Sequence, residues 1–266
     1  MSNQTSNGVN QFKKLLTDTY LIGKNELLIQ VRNPLWLFFG LFQPIVYLVL
    51  FSPFLDGIKS APGFPSTNAI QFFAPGLLMM NVLFGASFAG FGLIDQLRTG
   101  FIERIRVTPV SRLAIVLGLI IRTPVVMITQ SIILLLVAVL FFGLSLNILG
   151  LLIVLVIMMI MGITMASLSF TIALIVKDEG TLAAITNFFT LPLFLLAGVM
   201  LPISFAPKIL QNVSVIDPFR YAVDASRALL NGDLANQNIP LAILIFIVLG
   251  SIALNWFILA MKEAVA

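Results

Sequence analysis

The sequence predicts an all-α polytopic membrane protein: six transmembrane helices, an N-terminal amphipathic interfacial helix, and an outward re-entrant helix pair between spans five and six. Composition is the first observation behind this. Hydrophobic residues fill 59% of the 266 positions and charged residues only 10%, where a soluble domain carries roughly 25% charged residues. Run length is the second, because the apolar stretches repeatedly exceed the ~20 residues that a helix needs to cross a bilayer core. Charge placement is the third. The Lys and Arg side chains gather in the short connections between apolar runs, as charges that set topology do.

The same composition removes whole classes of chemistry. With no cysteine and no histidine, the chain has no disulfides, no thiolate or imidazole metal ligands, no Cys nucleophile and no His-dependent triad. No catalytic, cofactor-binding or metal residue is expected. The net charge of +4 would point to nucleic acid in a soluble chain, but here it is spread over interspan connections, so nucleic-acid binding is not expected.

Residues 1–34 read as a cytoplasmic amphipathic helix in the headgroup plane. Phe12, Leu16, Tyr20, Gly23 and Leu27 share one face, while Lys13, Lys14, Thr17, Asp18, Lys24 and Asn25 point elsewhere. Gly23-Lys24 is not a phosphate loop: Asp18 stands where the upstream glycine belongs, and no Ser or Thr follows the lysine. Residues 35–266 form the membrane domain. Its first span covers about 35–55 with Pro44 inside, a position that favours a kink. Pro53, Pro62 and Pro65 mark an irregular loop, and the second span follows over about 69–94, where Ala86 and Gly90 form a small-xxx-small pair.

The stretch from Asp95 to Arg112 holds six charges between two apolar runs. Read as a helix ended by Pro109, it aligns Leu97, Phe101 and Ile105 on one stripe and sets Glu103 three residues from Arg106. It is either a passive headgroup contact or a handle for a soluble partner.

The third span, about 113–142, is ~45 Å long as a helix and overshoots a ~30 Å core. Arg122 accounts for the overshoot if Leu113–Arg122 lies at the inner interface; the alternative is a charge lining a substrate path. The fourth span, about 148–176, ends in the charged turn Lys177-Asp178-Glu179-Gly180. The fifth covers about 181–201. Ile203–Ile216 is too short to cross and reads as a re-entrant or interfacial helix. Asp217-Pro218 opens another helix, with Asp as N-cap and Pro at the first position. Along it Asp217, Arg220, Asp224 and Arg227 alternate in sign, as a solvated face, a structural clamp or an outer gate. The sixth span covers about 239–261. Six crossings place both termini on one side, and 11 of the 15 basic residues fall with them, so that side is cytoplasmic. The destination is the cell membrane, plasma or inner.

One block of motifs is more specific. Leu191-Pro192-Leu193-Phe194-Leu195-Leu196-Ala197-Gly198-Val199-Met200-Leu201-Pro202 is followed by Asp217-Pro218-Phe219-Arg220-Tyr221-Ala222-Val223-Asp224-Ala225-Ser226-Arg227-Ala228-Leu229-Leu230. With the amphipathic N-terminus, six spans and a Glu-Arg loop after the second span, this resembles the permease subunit of ABC-2 type transporters, closest to the daunorubicin-exporter-like drug and lipid exporters. Asp217 stands where many relatives carry asparagine. The resemblance implies an ATP-driven exporter, a multidrug efflux or lipid transporter. Two copies of a separate ATPase subunit would carry ATP and Mg, this chain holding no cofactor, and a second permease subunit would complete a homodimer more readily than a heterodimer. It also implies that movement enters through Gly100, Phe101, Ile102, Glu103, Arg104, Ile105 and Arg106, and that Asp217, Arg220, Asp224 and Arg227 form an outer gate. Among scattered polar residues in the spans, Gln43, Asn81 and Asn187 are candidates for the pathway. The alternative class is an ion-gradient-driven secondary transporter, although no carboxylate is expected at mid-span. Substrate identity is not readable from the sequence.

Overall fold

The computed structural model describes residues 2–32, 34–58, 69–100 and 110–265. Within them the chain forms ten α-helices and one 3-10 turn, with no strand. These are α1 (Ser2–Arg32), α2 (Pro34–Ile58), α3 (Ala69–Ser87), α4 (Gly90–Arg98), α5 (Arg112–Phe142), α6 (Ile148–Val176), α7 (Glu179–Leu196), the 3-10 turn Ile203–Phe205, α8 (Lys208–Ser214), α9 (Pro218–Leu230) and α10 (Asn238–Val265).

Five helical stretches are long and apolar enough to cross a membrane: Ala69–Arg98, Leu113–Phe142, Ile148–Val176, Glu179–Leu196 and Asn238–Ala264. The first predicted span falls on α2, which is 25 residues long. Its apolar stretch among the described residues, Gly40–Phe51, is shorter than a crossing requires.

Side-chain caps set the boundaries. The side chains of Ser111, Asn147, Asp178 and Asp217 accept from the backbone N–H groups of Ala114, Gly150, Thr181 and Phe219, each satisfying one orphan donor of a first turn. Several expectations need correction. Pro53, read as part of an irregular loop, lies inside α2, which runs on to Ile58. The charged helix anticipated from Asp95 onward ends at Arg98, where Gly100 takes a left-handed φ of 74°; the rest of that stretch to Pro109 lies outside the described residues. The fifth span stops at Leu196 rather than 201, because Gly198 also adopts positive φ and turns the chain. Ile203–Ile216 is not one helix. Pro207 pushes Ala206 to an extended ψ of 156°, which separates the 3-10 turn from α8.

α6 is the hub of the bundle, packing against α3, α4, α5, α7, α9 and α10. Two buried apolar clusters lie along it. The larger joins α2, α3, α5, α6, α9 and α10 and contains the Phe219–Phe246 edge-to-face pair. The smaller surrounds α4, the start of α5 and the ends of α6 and α10, with Phe170 stacked on Phe257. Outside both, α1 runs along α5. The contact is close because Gly118 has no side chain: a Cβ there would sit 2.6 Å from Ile22 Cγ2. Leu16 and Tyr20 of the predicted apolar stripe are exposed, whereas Gly23 is buried against Gly118. The helix thus offers apolar side chains to lipid and a small, polar face to the protein.

Candidate transport cavity and its charged base

A cavity of about 640 Å³ opens between α1, α2, α3, α4 and α5, a size within the usual range for small-molecule sites. Its wall is amphipathic. Met80, Phe84, Phe88, Phe91, Val126 and Met127 supply apolar surface, and Gln30, Gln43, Asn81, Gln96, Thr123 and Gln130 supply polar groups. Asn81 is held in place, its Nδ2 donating to the Ser131 hydroxyl at 3.2 Å and the Met127 carbonyl at 3.4 Å. Gln43 donates to the Tyr47 hydroxyl at 3.3 Å. The Gln130 carbonyl oxygen is buried with no partner among the described residues.

At one end of the cavity lies a charged cluster. Glu26 of α1 is 2% exposed, and both its oxygens are engaged. Oε2 pairs with Arg122 Nη1 of α5 at 2.8 Å, and Oε1 accepts from Gln96 Nε2 of α4 at 2.8 Å. Arg122, with its side chain 13% exposed, therefore does not snorkel to water as an interfacial anchor. Its charge is answered within the protein, and it lines the cavity. A buried carboxylate or guanidinium is tolerable only when paired, so three helices distant in sequence are joined at one point.

A second tie lies nearby. Arg98 at the end of α4 meets Glu179 at the start of α7 at 2.7 Å, with both side chains about half exposed. Such a pair contributes only ~0–1 kcal/mol. Its value here is positional, since α4 is short and leads directly into residues 101–109.

The sign-alternating ladder lies elsewhere, on α9, and none of its members lines the cavity. Arg227 is its centre. Nε donates to the Phe72 carbonyl at 2.9 Å, Nη2 to the carbonyls of Gly198 at 2.8 Å and Val199 at 3.2 Å, and Nη1 faces Asp224 at 3.5 Å. The guanidinium also stacks 3.7 Å over the Phe72 ring. Asp224 reaches Arg220 at 3.7 Å, and Arg220 donates to the Ser214 hydroxyl at 2.7 Å. Burial lowers the Arg227 pKa to about 10, with Asp224 opposing it, so the group stays charged at neutral pH. Burial likewise raises Asp224, against the pull of Arg227 and Arg220. Asp217 is pushed up to about 7 by burial, although the Phe219 N–H bond and Arg220 pull it down. Its second oxygen has no partner among the described residues.

Of the residues singled out in the sequence, Gln43 and Asn81 meet in the cavity wall, while Asn187 is exposed on α7 away from it. Gly100 ends the α4 turn; Phe101, Ile102, Glu103, Arg104, Ile105 and Arg106 lie outside the described residues. The sequence reading missed Glu26 and Gln96. A signal for Glu26 existed: Thr19, Gly23, Glu26 and Gln30 recur at helical spacing as a small, polar stripe, the mark of a face turned toward protein rather than lipid.

The profile described as ABC-2 type transporter matches residues 17–231. The chain belongs to the ABC-2 type transporter family. The matched region of this ABC-2 chain takes in Glu26, the whole cavity wall and the α9 ladder, and ends before α10. The chain is similar to "Putative transport permease ycf38" of Cyanophora paradoxa, 27% identical over 231 residues, covering 86% of this chain and 79% of that protein. It is also similar to the proteins of the same name from Pyropia yezoensis, 28% identical with 77% and 71% covered, and Porphyra purpurea, 28% identical with 76% and 70% covered. Family and relatives together mark this ABC-2 chain as a transport permease subunit rather than an enzyme.

Proposed function

We propose that this chain is the permease subunit of an ATP-driven exporter that moves an amphiphilic or hydrophobic cargo, a drug-like compound or a lipid, out of the cytoplasm or inner leaflet. ATP and Mg are carried by two separate ATPase subunits, and a second permease copy completes the pathway. In this reading α2, the first span, brings the crossings to six, both termini are cytoplasmic, and the protein resides in the plasma or inner membrane. One observation carries the reading: the helix leading into residues 101–109 is tied beside the cavity to α1 and α5 through Glu26 and to α7 through Arg98. A push on Gly100–Arg106 then reaches several cavity-bordering helices at once. Gln43 and Asn81 offer hydrogen bonds to an amphiphile whose body rests on the phenylalanines. Asn187, exposed beside Phe188 and Phe189 on α7, joins the pathway from a face that a second copy covers. The α9 ladder holds the outer end closed.

The gradient-driven alternative has one observation in its favour, a buried carboxylate at a cavity. Both oxygens of Glu26 are already engaged by Arg122 and Gln96, which favours a structural use of its charge. The coupling assignment is tested by Glu103→Lys. The variant is expected to insert normally and to retain an order of magnitude less ATPase or export, the equivalent of about 1.4 kcal/mol. Wild-type export with unchanged ATPase retention in that variant removes the segment from the coupling path.

A further inference from the structure

We infer that Ser169 of α6 is a positioning residue for transport, a hydroxyl pin that holds the second span broken between α3 and α4 so that α4 can move as a lever under the cavity. The inference rests on the proposed export function, but its first observable does not.

The break is a local exchange of hydrogen bonds. In a continuous α-helix the Gly90 N–H would reach the Ala86 carbonyl and the Phe91 N–H the Ser87 carbonyl. Instead the Ala86 carbonyl accepts from Ala89 at 3.2 Å, and Phe91 donates to Phe88 at 3.2 Å, a 3-10 tightening. That frees the Gly90 N–H and the Ser87 carbonyl, and Ser169 takes both. Its Oγ accepts from the Gly90 N–H at 2.9 Å and donates to the Ser87 carbonyl at 2.6 Å. Ser169 is 2% exposed, so water cannot substitute, and a buried backbone group left alone is costly.

Three features set Ser169 apart from its neighbours. Thr164, Ser167 and Thr171 on the same helix each donate to the carbonyl four residues back, the usual resting place of a helical hydroxyl. Thr164 also reaches the Phe246 carbonyl of α10 at 3.2 Å, but among these four Ser169 alone both accepts from and donates to another helix. Gly90 fits directly on it, since a Cβ there would lie 2.6 Å from the Ser169 carbonyl oxygen and 2.8 Å from Oγ. The cavity wall straddles the break, with Phe84 and Gly85 before it and Phe91, Gly92 and Gln96 after it. Rotation of α4 about Phe88–Ala89 therefore reshapes half of one wall while α3 stays fixed in the larger core.

The test uses the cysteine-free chain with spin labels on cysteines placed at Thr99 and Leu152, both exposed and outside the cavity wall, in lipid nanodiscs with no ATPase present. Without the hydroxyl, the break relaxes to regular α-helix, which winds at ~100° rather than ~120° per residue and rises ~1.5 rather than ~2.0 Å, moving the end of α4 by roughly 3 Å or more. Ser169→Ala is expected to show that shift in the Thr99–Leu152 distance, and Ser169→Thr to keep the wild-type distance. Ser169→Val matches threonine in shape and lacks only the hydroxyl. The Thr and Val pair therefore decides the matter even if the alanine variant fails to accumulate, and equal distances for the two overturn the pin. In the complex with its ATPase, Ser169→Ala should lower cargo exported per ATP about fivefold or more with ATPase still attached, and Ser169→Thr should restore it. A shifted distance with wild-type export per ATP overturns the positioning role. A wild-type chain that recruits no ATPase overturns the export reading instead, and the distance measurement then supports or overturns the pin by itself.

Discussion

Glu26→Gln is expected to be among the most destabilising single-atom changes available in this chain. The substitution keeps size and leaves the Gln96 contact a possible partner, but it strips the countercharge from Arg122, whose side chain is 13% exposed. Breaking a buried pair from one side costs roughly 3–5 kcal/mol, because the remaining charge stays desolvated, and that is a large share of the 5–15 kcal/mol by which a typical domain is stable. The double variant Glu26→Gln with Arg122→Gln should recover much of the loss, since two neutral amides can bond each other without a stranded charge. Arg98→Gln, at a half-exposed pair, should cost under about 1 kcal/mol. Thermal stability of the four chains in lipid nanodiscs separates these values. If Glu26→Gln melts with the wild type, the cluster is hydrated and does not clamp α1, α4 and α5 together.

Arg227→Met is expected to have an effect of similar size at the opposite core. Methionine fills the space over Phe72 but abandons the carbonyls of Phe72, Gly198 and Val199 together with Asp224. Unsatisfied buried acceptors cost ~1–3 kcal/mol each, so a loss of about 3 kcal/mol or more is expected. Arg227→Lys should fall between, because one ammonium cannot reproduce a guanidinium that reaches both Phe72 and the Gly198–Val199 corner. Asp224→Asn should matter least, its side chain being 34% exposed. The charge swap Asp224→Arg with Arg227→Asp separates clamp from ionic gate. A pair held by charge alone recovers in the swap. A clamp does not, since an aspartate at 227 faces three carbonyl oxygens. Recovery of stability and export in the swapped chain contradicts the clamp.

Much of the architecture was legible because bilayer crossing leaves a length and composition signal that few other constraints imitate. Ile148–Val176 was read to the residue, and Asp217-Pro218 was recognised as a helix start from cap chemistry alone. Boundaries failed where a single backbone conformation decided them: Gly100 and Gly198 at positive φ, and Ala206 extended before Pro207. The cavity was half legible. Gln43 and Asn81 stood out as polar residues in apolar helices, whereas Asn187, identical in type, faces outward on α7. A sequence does not say which side of a span a residue takes. Glu26 was passed over for a related reason. It sits in a helix read for its apolar face, and its partners Gln96 and Arg122 are 70 and 96 residues away.

In the proposed function ATP, not an ion gradient, drives cargo through this permease. The direct measurement takes inside-out membrane vesicles containing the chain with its co-purifying ATPase. Accumulation of a fluorescent amphiphilic dye and of a short-chain fluorescent phospholipid is followed with ionophores collapsing the proton and sodium gradients. ATP-dependent accumulation of at least one probe that survives gradient collapse, and is lost in Glu103→Lys, is the predicted result. Accumulation that ionophores abolish and ATP leaves unchanged contradicts the account.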